Sequence, residues 1–157
     1  MNSATFATHE LDSPPWLRVE STLMSTARLI RVAYDARLEA LQLNLTQASL
    51  IAYVAEFGST TQTRLADHLG IGRAAIGSVV TQLQERGFVE RQPDAADRRV
   101  WLVAITGSGE RLTTQIRKVD ETLRAELRRD ISRAERQTLA AVMSKVEHNA
   151  RAAITEP

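Results

Sequence analysis

The side chains best suited to chemistry in this chain fall in two short stretches. In the first, helical spacing turns Arg73, Ala74, Ala75, Gly77, Ser78, Thr81 and Gln82 outward along one helix, so that a guanidinium, two hydroxyls and a carboxamide share a face. Such groups donate to and accept from base edges in a DNA groove. The second stretch is Asp97-Arg98-Arg99, at the end of the polar loop that starts at Gln92. Adjacent guanidinium groups suit a narrow minor groove, where negative potential is concentrated. Asp97 stands where it can hold one arginine extended through a charge-assisted hydrogen bond.

Catalytic chemistry finds no support. His9, His68 and His148 are far apart, no pair has metal-ligand spacing, and there is no glycine-rich phosphate loop or nucleophile elbow. Asp94 and Asp97 share a solvated loop that offers no burial to separate their pKa values. The expectation is therefore no enzyme, no metal and no cofactor. His68 is expected on an exposed helix face near phosphates or water. The absence of cysteine excludes disulfides and thiol-based oxidant sensing.

Several elements must position these side chains. Leu65, Ala66 and Leu69 form a short amphipathic pattern, with Thr60 or Thr61 as N-cap and Gly70 as a left-handed stop. After the Gly70-Ile71-Gly72 turn, Ile76, Val79, Val80 and Leu83 repeat at helical spacing until Gly87. Two helices joined by so short a turn form a DNA-reading unit whose second helix enters the major groove. Phe88–Arg91 and Val100–Ile105 carry β-branched and aromatic residues, and the loop between them contains Pro93 and Asp94, so the pair reads as a hairpin. The layout from Thr60 to Thr106 is that of a winged helix-turn-helix.

These residues resemble the MarR family of bacterial winged helix-turn-helix transcriptional regulators. The resemblance covers most of the chain and is most specific between Leu45 and Leu112, in LTQASLIAYVAEFG, LADHLGI, VVTQLQERGFVER and DRRVWLVAITGSGERL. In that family an Asp-x-Arg element at the wing sends its Arg into the minor groove, which corresponds here to Asp97 and Arg99. The family usually opens its recognition helix with a Ser or Thr cap and sets hydroxyl or Arg side chains where Ala74, Ala75 and Gly77 stand. Gly72 is a weaker cap, and Gly77 inside a helix costs roughly 1 kcal/mol relative to Ala. Either Gly77 lets the helix approach DNA closely or it reflects drift on a solvent face. The resemblance also implies a ligand-responsive repressor, with an effector such as an aromatic acid bound between dimer helices and reading heads. Trp16, Arg31 and Tyr34 offer stacking and an anion partner for such a ligand. The plainer reading makes Trp16 and Tyr34 packing residues and Arg31 a surface or interface charge.

The fold expected is mainly α with a small β-hairpin wing, in one domain spanning residues 1–157. Residues 45–106 form the reading head, and 16–41 and 107–155 supply dimerisation helices. Residues 1–13 are polar, and Pro14-Pro15 seeds a helix carrying Leu17, Leu23, Met24, Ala27, Ile30, Tyr34, Leu38 and Leu41. Asn44 caps a short buried helix with Ala48, Leu50, Ile51, Val54, Ala55 and Phe57. Thr106 caps a long helix through Leu112, Ile116, Val119, Leu123, Leu127 and Ile131, and Ser132-Arg133-Ala134-Glu135 is a capping box that opens another. Apolar stripes on such long terminal helices imply a homodimer, whose two reading heads would meet a pseudo-palindrome; the alternative is intramolecular three-helix packing.

No apolar run approaches membrane-spanning length and the N-terminus lacks a secretory pattern, so the protein is read as cytoplasmic and without a membrane partner. Its partners are double-stranded DNA, a second copy of itself and a small-molecule effector. From Thr60 to Ile105 there are six basic and five acidic residues. This near-neutral balance and the Ala- and Gly-rich face favour a second reading, a winged-helix protein-interaction module without sequence-specific DNA binding.

Overall fold

The computed structural model describes residues 22–155, as a unit ending at Leu123 and a unit beginning at Arg124. Helix α1 runs Thr22–Leu38 and passes into a 3-10 turn, Glu39–Leu41; the expected helix start, from Trp16, lies outside the described residues. Gln42 ends that turn in a left-handed conformation (φ 54°). Helix α2, Leu45–Phe57, is opened by a capping box: the Asn44 side chain accepts from the Gln47 N–H at 2.9 Å, and the Gln47 side chain accepts from the Asn44 N–H at 3.1 Å. The Asp35 carboxylate accepts the next orphan donor, Leu45 N–H, at 2.6 Å.

Strand β1 is Thr60–Thr61 and leads directly into α3, Gln62–Leu69, where Thr61 is the N-cap that accepts from the Arg64 N–H. Gly70 closes α3 at φ 63° and the chain enters α4, Arg73–Glu85, after Gly72, which provides no side-chain cap. Strands β2, Val89–Pro93, and β3, Trp101–Ile105, form the expected hairpin. The sheet has a third strand, however, in the order β1-β3-β2, all antiparallel, with Thr60 opposite Val103 and Thr61 opposite Leu102. Two residues carry no periodicity from which a strand is legible.

Side chains from α1, α2, α3, α4, β2 and β3 fill one core: Leu38, Leu50, Ile51, Val54, Leu65, Ile76, Val80, Leu83, Val89 and Val103 are almost wholly buried, and Leu43, Leu112 and Ile116 join them. Phe57 departs from expectation at 69% exposed. It is the last residue of α2, past the core, and its ring turns back on Tyr53 with centroids 4.8 Å apart. Ala55 is likewise exposed.

Helix α5, Gly107–Leu127, starts from the Thr106 cap, whose hydroxyl accepts from the Gly109 N–H at 3.1 Å and donates to the Gly87 carbonyl at 2.6 Å. It is shorter than its apolar spacing suggests: the chain turns through Asp130 at φ 60°, which leaves Ile131 outside any helix. Helix α6, Arg133–Thr155, begins at the expected capping box, with Ser132 N–H donating to Glu135 at 2.8 Å and Glu135 N–H donating to the Ser132 hydroxyl at 3.2 Å. Two hydrogen bonds from Ser132, first through its side chain and then through its backbone, hold the Glu135 carboxyl below the ordinary glutamate range. Among the described residues no helix is long and apolar enough to cross a membrane.

Candidate nucleic-acid interface

The core fixes α4 from one side only. Ile76, Val80 and Leu83 are buried beneath it, which leaves Arg73, Ala74, Ala75, Ser78, Thr81 and Gln82 exposed and Gly77 half-exposed along the opposite face. A Cβ at Gly77 would meet nothing nearer than the Gln62 Oε1 at 3.5 Å, so no neighbouring atom of the fold demands glycine there.

These polar side chains are not equally free to read a base. The Thr81 hydroxyl donates to the Gly77 carbonyl at 3.0 Å and accepts from Arg91 at 3.1 Å. The Gln82 Oε1 accepts from Gln47 Nε2 at 3.0 Å, and its Nε2 lies 3.4 Å from the Ser78 hydroxyl. Among the described residues Arg73 has no such partner. Thr81 and Gln82 are thus partly engaged within the fold, whereas Arg73 and the Ala74-Ala75 pair are presented to solvent.

Sequence reasoning missed the residues that aim α4. Gln47 is 9% exposed; with one end of its amide it completes the α2 capping box and with the other it holds Gln82. The Asn44-x-x-Gln47 spacing was the legible half of this device. Arg91 on β2 donates to Gln84 Oε1 at 2.6 Å as well as to Thr81, tying the wing to the helix. Arg86, the C-cap of α4, donates to the Gln42 carbonyl at 2.7 Å and the Leu41 carbonyl at 3.2 Å while its guanidinium stands 4.9 Å from the Phe88 ring centre. These carbonyls sit at the end of the 3-10 turn, where helix termini lack partners. Nothing local in the sequence marks Arg86 or Arg91, because each finds its partner through the fold.

The wing tip is organised by its carboxylates. Asp94 accepts the N–H groups of Ala96 at 2.7 Å and Asp97 at 3.1 Å. Asp97 accepts the backbone N–H of Arg99 at 3.0 Å, and among the described residues it pairs with neither the Arg98 nor the Arg99 guanidinium. The geometry thus differs from an aspartate that grips an arginine side chain: Asp97 shapes the turn, as Asp commonly does two residues ahead of a backbone donor. Arg98 and Arg99 are exposed, with no partner among the described residues.

The residues singled out for a small ligand separate. Trp16 lies outside the described residues. Arg31, exposed on α1, donates to the Thr46 hydroxyl at 3.3 Å, while half-buried Tyr34 donates to Asp120 on α5 at 2.8 Å. Neither lines the cavity of about 400 Å³ formed by Arg37, Leu41, Gln115, Lys118, Val119 and Thr122. His68 is exposed as expected, with its ring 4.3 Å from that of Tyr53. No group of three or more His, Asp or Glu among the described residues is arranged to hold a metal ion.

Comparison with known proteins accords with this architecture. Residues 41–100 match the model of the MarR family. Among solved structures, the chain is similar to the transcriptional regulator BldR from Sulfolobus solfataricus, with 25% identity, a TM-score of 0.71, and coverage of 79% of this chain and 91% of that one. A variant of MarR from E. coli complexed with operator DNA is 20% identical, with a TM-score of 0.76 over 89% of this chain and 98% of that one. CouR from Rhodococcus jostii RHA1, bound to p-coumaroyl-CoA, is 22% identical, with a TM-score of 0.73 over 79% and 87%. The family match falls on the segment that holds α2, α3, α4 and the start of the wing, and the fold recurs in these regulators; over residues 41–100 the chain is similar to the MarR family of winged helix-turn-helix transcriptional regulators.

Proposed function

We propose that this protein is a DNA-binding transcriptional regulator in which α4 occupies a major groove and the wing tip an adjacent minor groove. The observation that carries the proposal is the wing tip, where both carboxylates are taken up by backbone N–H groups and Arg98 and Arg99 project without a partner among the described residues. Two unpaired guanidinium groups beyond an ordered turn suit the electrostatics of a minor groove. Arg73, Ala75, Gly77 and Ser78 face the major groove, with Thr81 and Gln82 as readers partly engaged within the fold. Thymine methyl contacts and DNA shape carry much of the specificity on so small-sided a face.

The protein acts as a homodimer on a pseudo-palindrome in the compartment that holds the DNA, and represses by occupying its operator. Its exposed apolar residues on α6, Leu139, Val142 and Val146, support the dimer. The cavity lined by Arg37 and Lys118 on an apolar wall of Leu41 and Val119 is suited to a small organic acid that releases the repressor. CouR with its bound acyl-CoA and E. coli MarR on its operator are precedents for the two kinds of partner. Such an acid works only by binding the DNA-competent and DNA-incompetent forms with different affinity.

The test is binding to a duplex from upstream of the protein's own gene, against unrelated DNA, across a salt series. Selective binding that weakens on the order of a thousandfold between about 50 and 200 mM salt is expected, and Arg99→Ala should weaken it. Equally weak binding to both duplexes would overturn the proposal. It would favour the protein-interaction module, the reading suggested by the exposed Ala74-Ala75 pair.

A further inference from the structure

Trp101 is the first residue of β3 and 55% exposed, an unusual setting for the largest side chain in the wing. Its direction follows from the strand register. Residues opposite each other in an antiparallel pair share a face, and so do residues two apart on one strand. Arg91 stands opposite Val103 and Pro93 opposite Trp101, so these four lie on one face of the sheet. That face looks toward α4, because Arg91 reaches Thr81 and Gln84 from it and Val103 is buried in the core shared with Ile76, Val80 and Leu83. Trp101 and Pro93 continue the same row outward, beyond the last tie to α4 and short of the arginine tip. Among the described residues the indole N–H has no hydrogen-bond acceptor.

We infer that Trp101, backed by Pro93, is a shelf for the sugar–phosphate backbone that runs between the groove entered by α4 and the groove entered by Arg98 and Arg99. The inference rests on the DNA-binding reading above. With the helix in one groove and the tip in the next, one backbone must cross the notch between them. Indole matches that occupant: its face packs on deoxyribose carbons and its N–H donates to a phosphate oxygen. The shelf fixes register without reading sequence. Because Trp is neutral, it releases no counterion from the duplex, which separates it from the arginines.

Two measurements on the full chain with the upstream duplex test this. Trp101→Ala should weaken binding by about tenfold with the salt slope unchanged, whereas Arg99→Ala should lower that slope by about 1 for each protomer bound; Trp101→Phe should recover part of the loss. In protein labelled with 5-fluorotryptophan, the Trp101 fluorine signal, assigned by its absence from Trp101→Phe, should move when duplex is added. The exposed position makes all three variants compatible with the native fold, which circular dichroism checks. If the wild-type protein binds and Arg99→Ala weakens it, but Trp101→Ala binds as the wild type does or the fluorine signal stays in place, the shelf is overturned and the DNA-binding reading stands. Absence of selective binding by the wild-type protein overturns both.

Discussion

Gly109 and Gly77 both lie inside helices, yet their surroundings give substitution opposite signs. A Cβ on Gly109 would overlap the Phe88 carbonyl oxygen and approach the Ile105 Cγ1 to 2.7 Å, both parts of the wing root against which α5 starts. Backbone cannot yield as a flexible side chain can, so Gly109→Ala should destabilise the protein by about 3 kcal/mol, read as a lower urea midpoint at unchanged slope. At Gly77 the nearest atom is an ordinary van der Waals distance away, and alanine gains helix propensity; Gly77→Ala should stabilise by up to about 1 kcal/mol. The same variant decides between the two readings of Gly77. Raised stability with weakened DNA binding assigns the glycine to close approach, and raised stability with unchanged binding assigns it to drift. The sequence marked Gly77 as costly inside a helix and left its two readings open, whereas the crowding at Gly109 comes from Phe88 and Ile105 and has no local signal. Gln47, Arg86 and Arg91 were opaque for the same reason, since their partners come from other elements.

At the scale of elements the sequence was most informative where signals are local. Thr61, Gly70, Asn44, Thr106 and the Ser132–Glu135 pair stand at the helix ends that their side-chain chemistry implies. It was least informative where pairing is distant: β1 exists only because Thr60 and Thr61 meet Val103 and Leu102 some forty positions later. The α6 capping box makes a prediction about pH. Glu135 has its folded-state pKa depressed, so its contribution to the helix start is complete above the unfolded carboxylate pKa and is lost as pH falls through the lower, folded value. Ser132→Ala removes the leading cause of that depression. The Glu135 carboxyl titration, followed by carbon-detected NMR, should therefore move up toward the ordinary glutamate range, and the amide of Glu135 should exchange faster at neutral pH. An unmoved titration would mean that the backbone N–H of Ser132 alone sustains the shift.

For the molecule as a whole, the apolar stripe along α6 argues for a second copy. On α6, Leu139, Val142 and Val146 are spaced by three and four along its length, an apolar stripe at helical spacing. A helix with an apolar stripe is stable in water only when another surface covers that stripe. An identical chain is the occupant that also fits the proposed DNA reading, because one reading head with few cations would bind weakly and two heads on a two-fold axis multiply the contacts. Sedimentation equilibrium of the wild-type protein should give a dimer at micromolar concentration. Val142→Glu, which sets a charge in the stripe without touching the core, should shift it toward monomer. DNA affinity should fall in step with the monomer fraction, while the residual monomer keeps the circular dichroism of the helical core. A wild-type protein that sediments as a monomer would overturn the dimer, and one that binds its operator tightly in that state would show that a single winged head suffices.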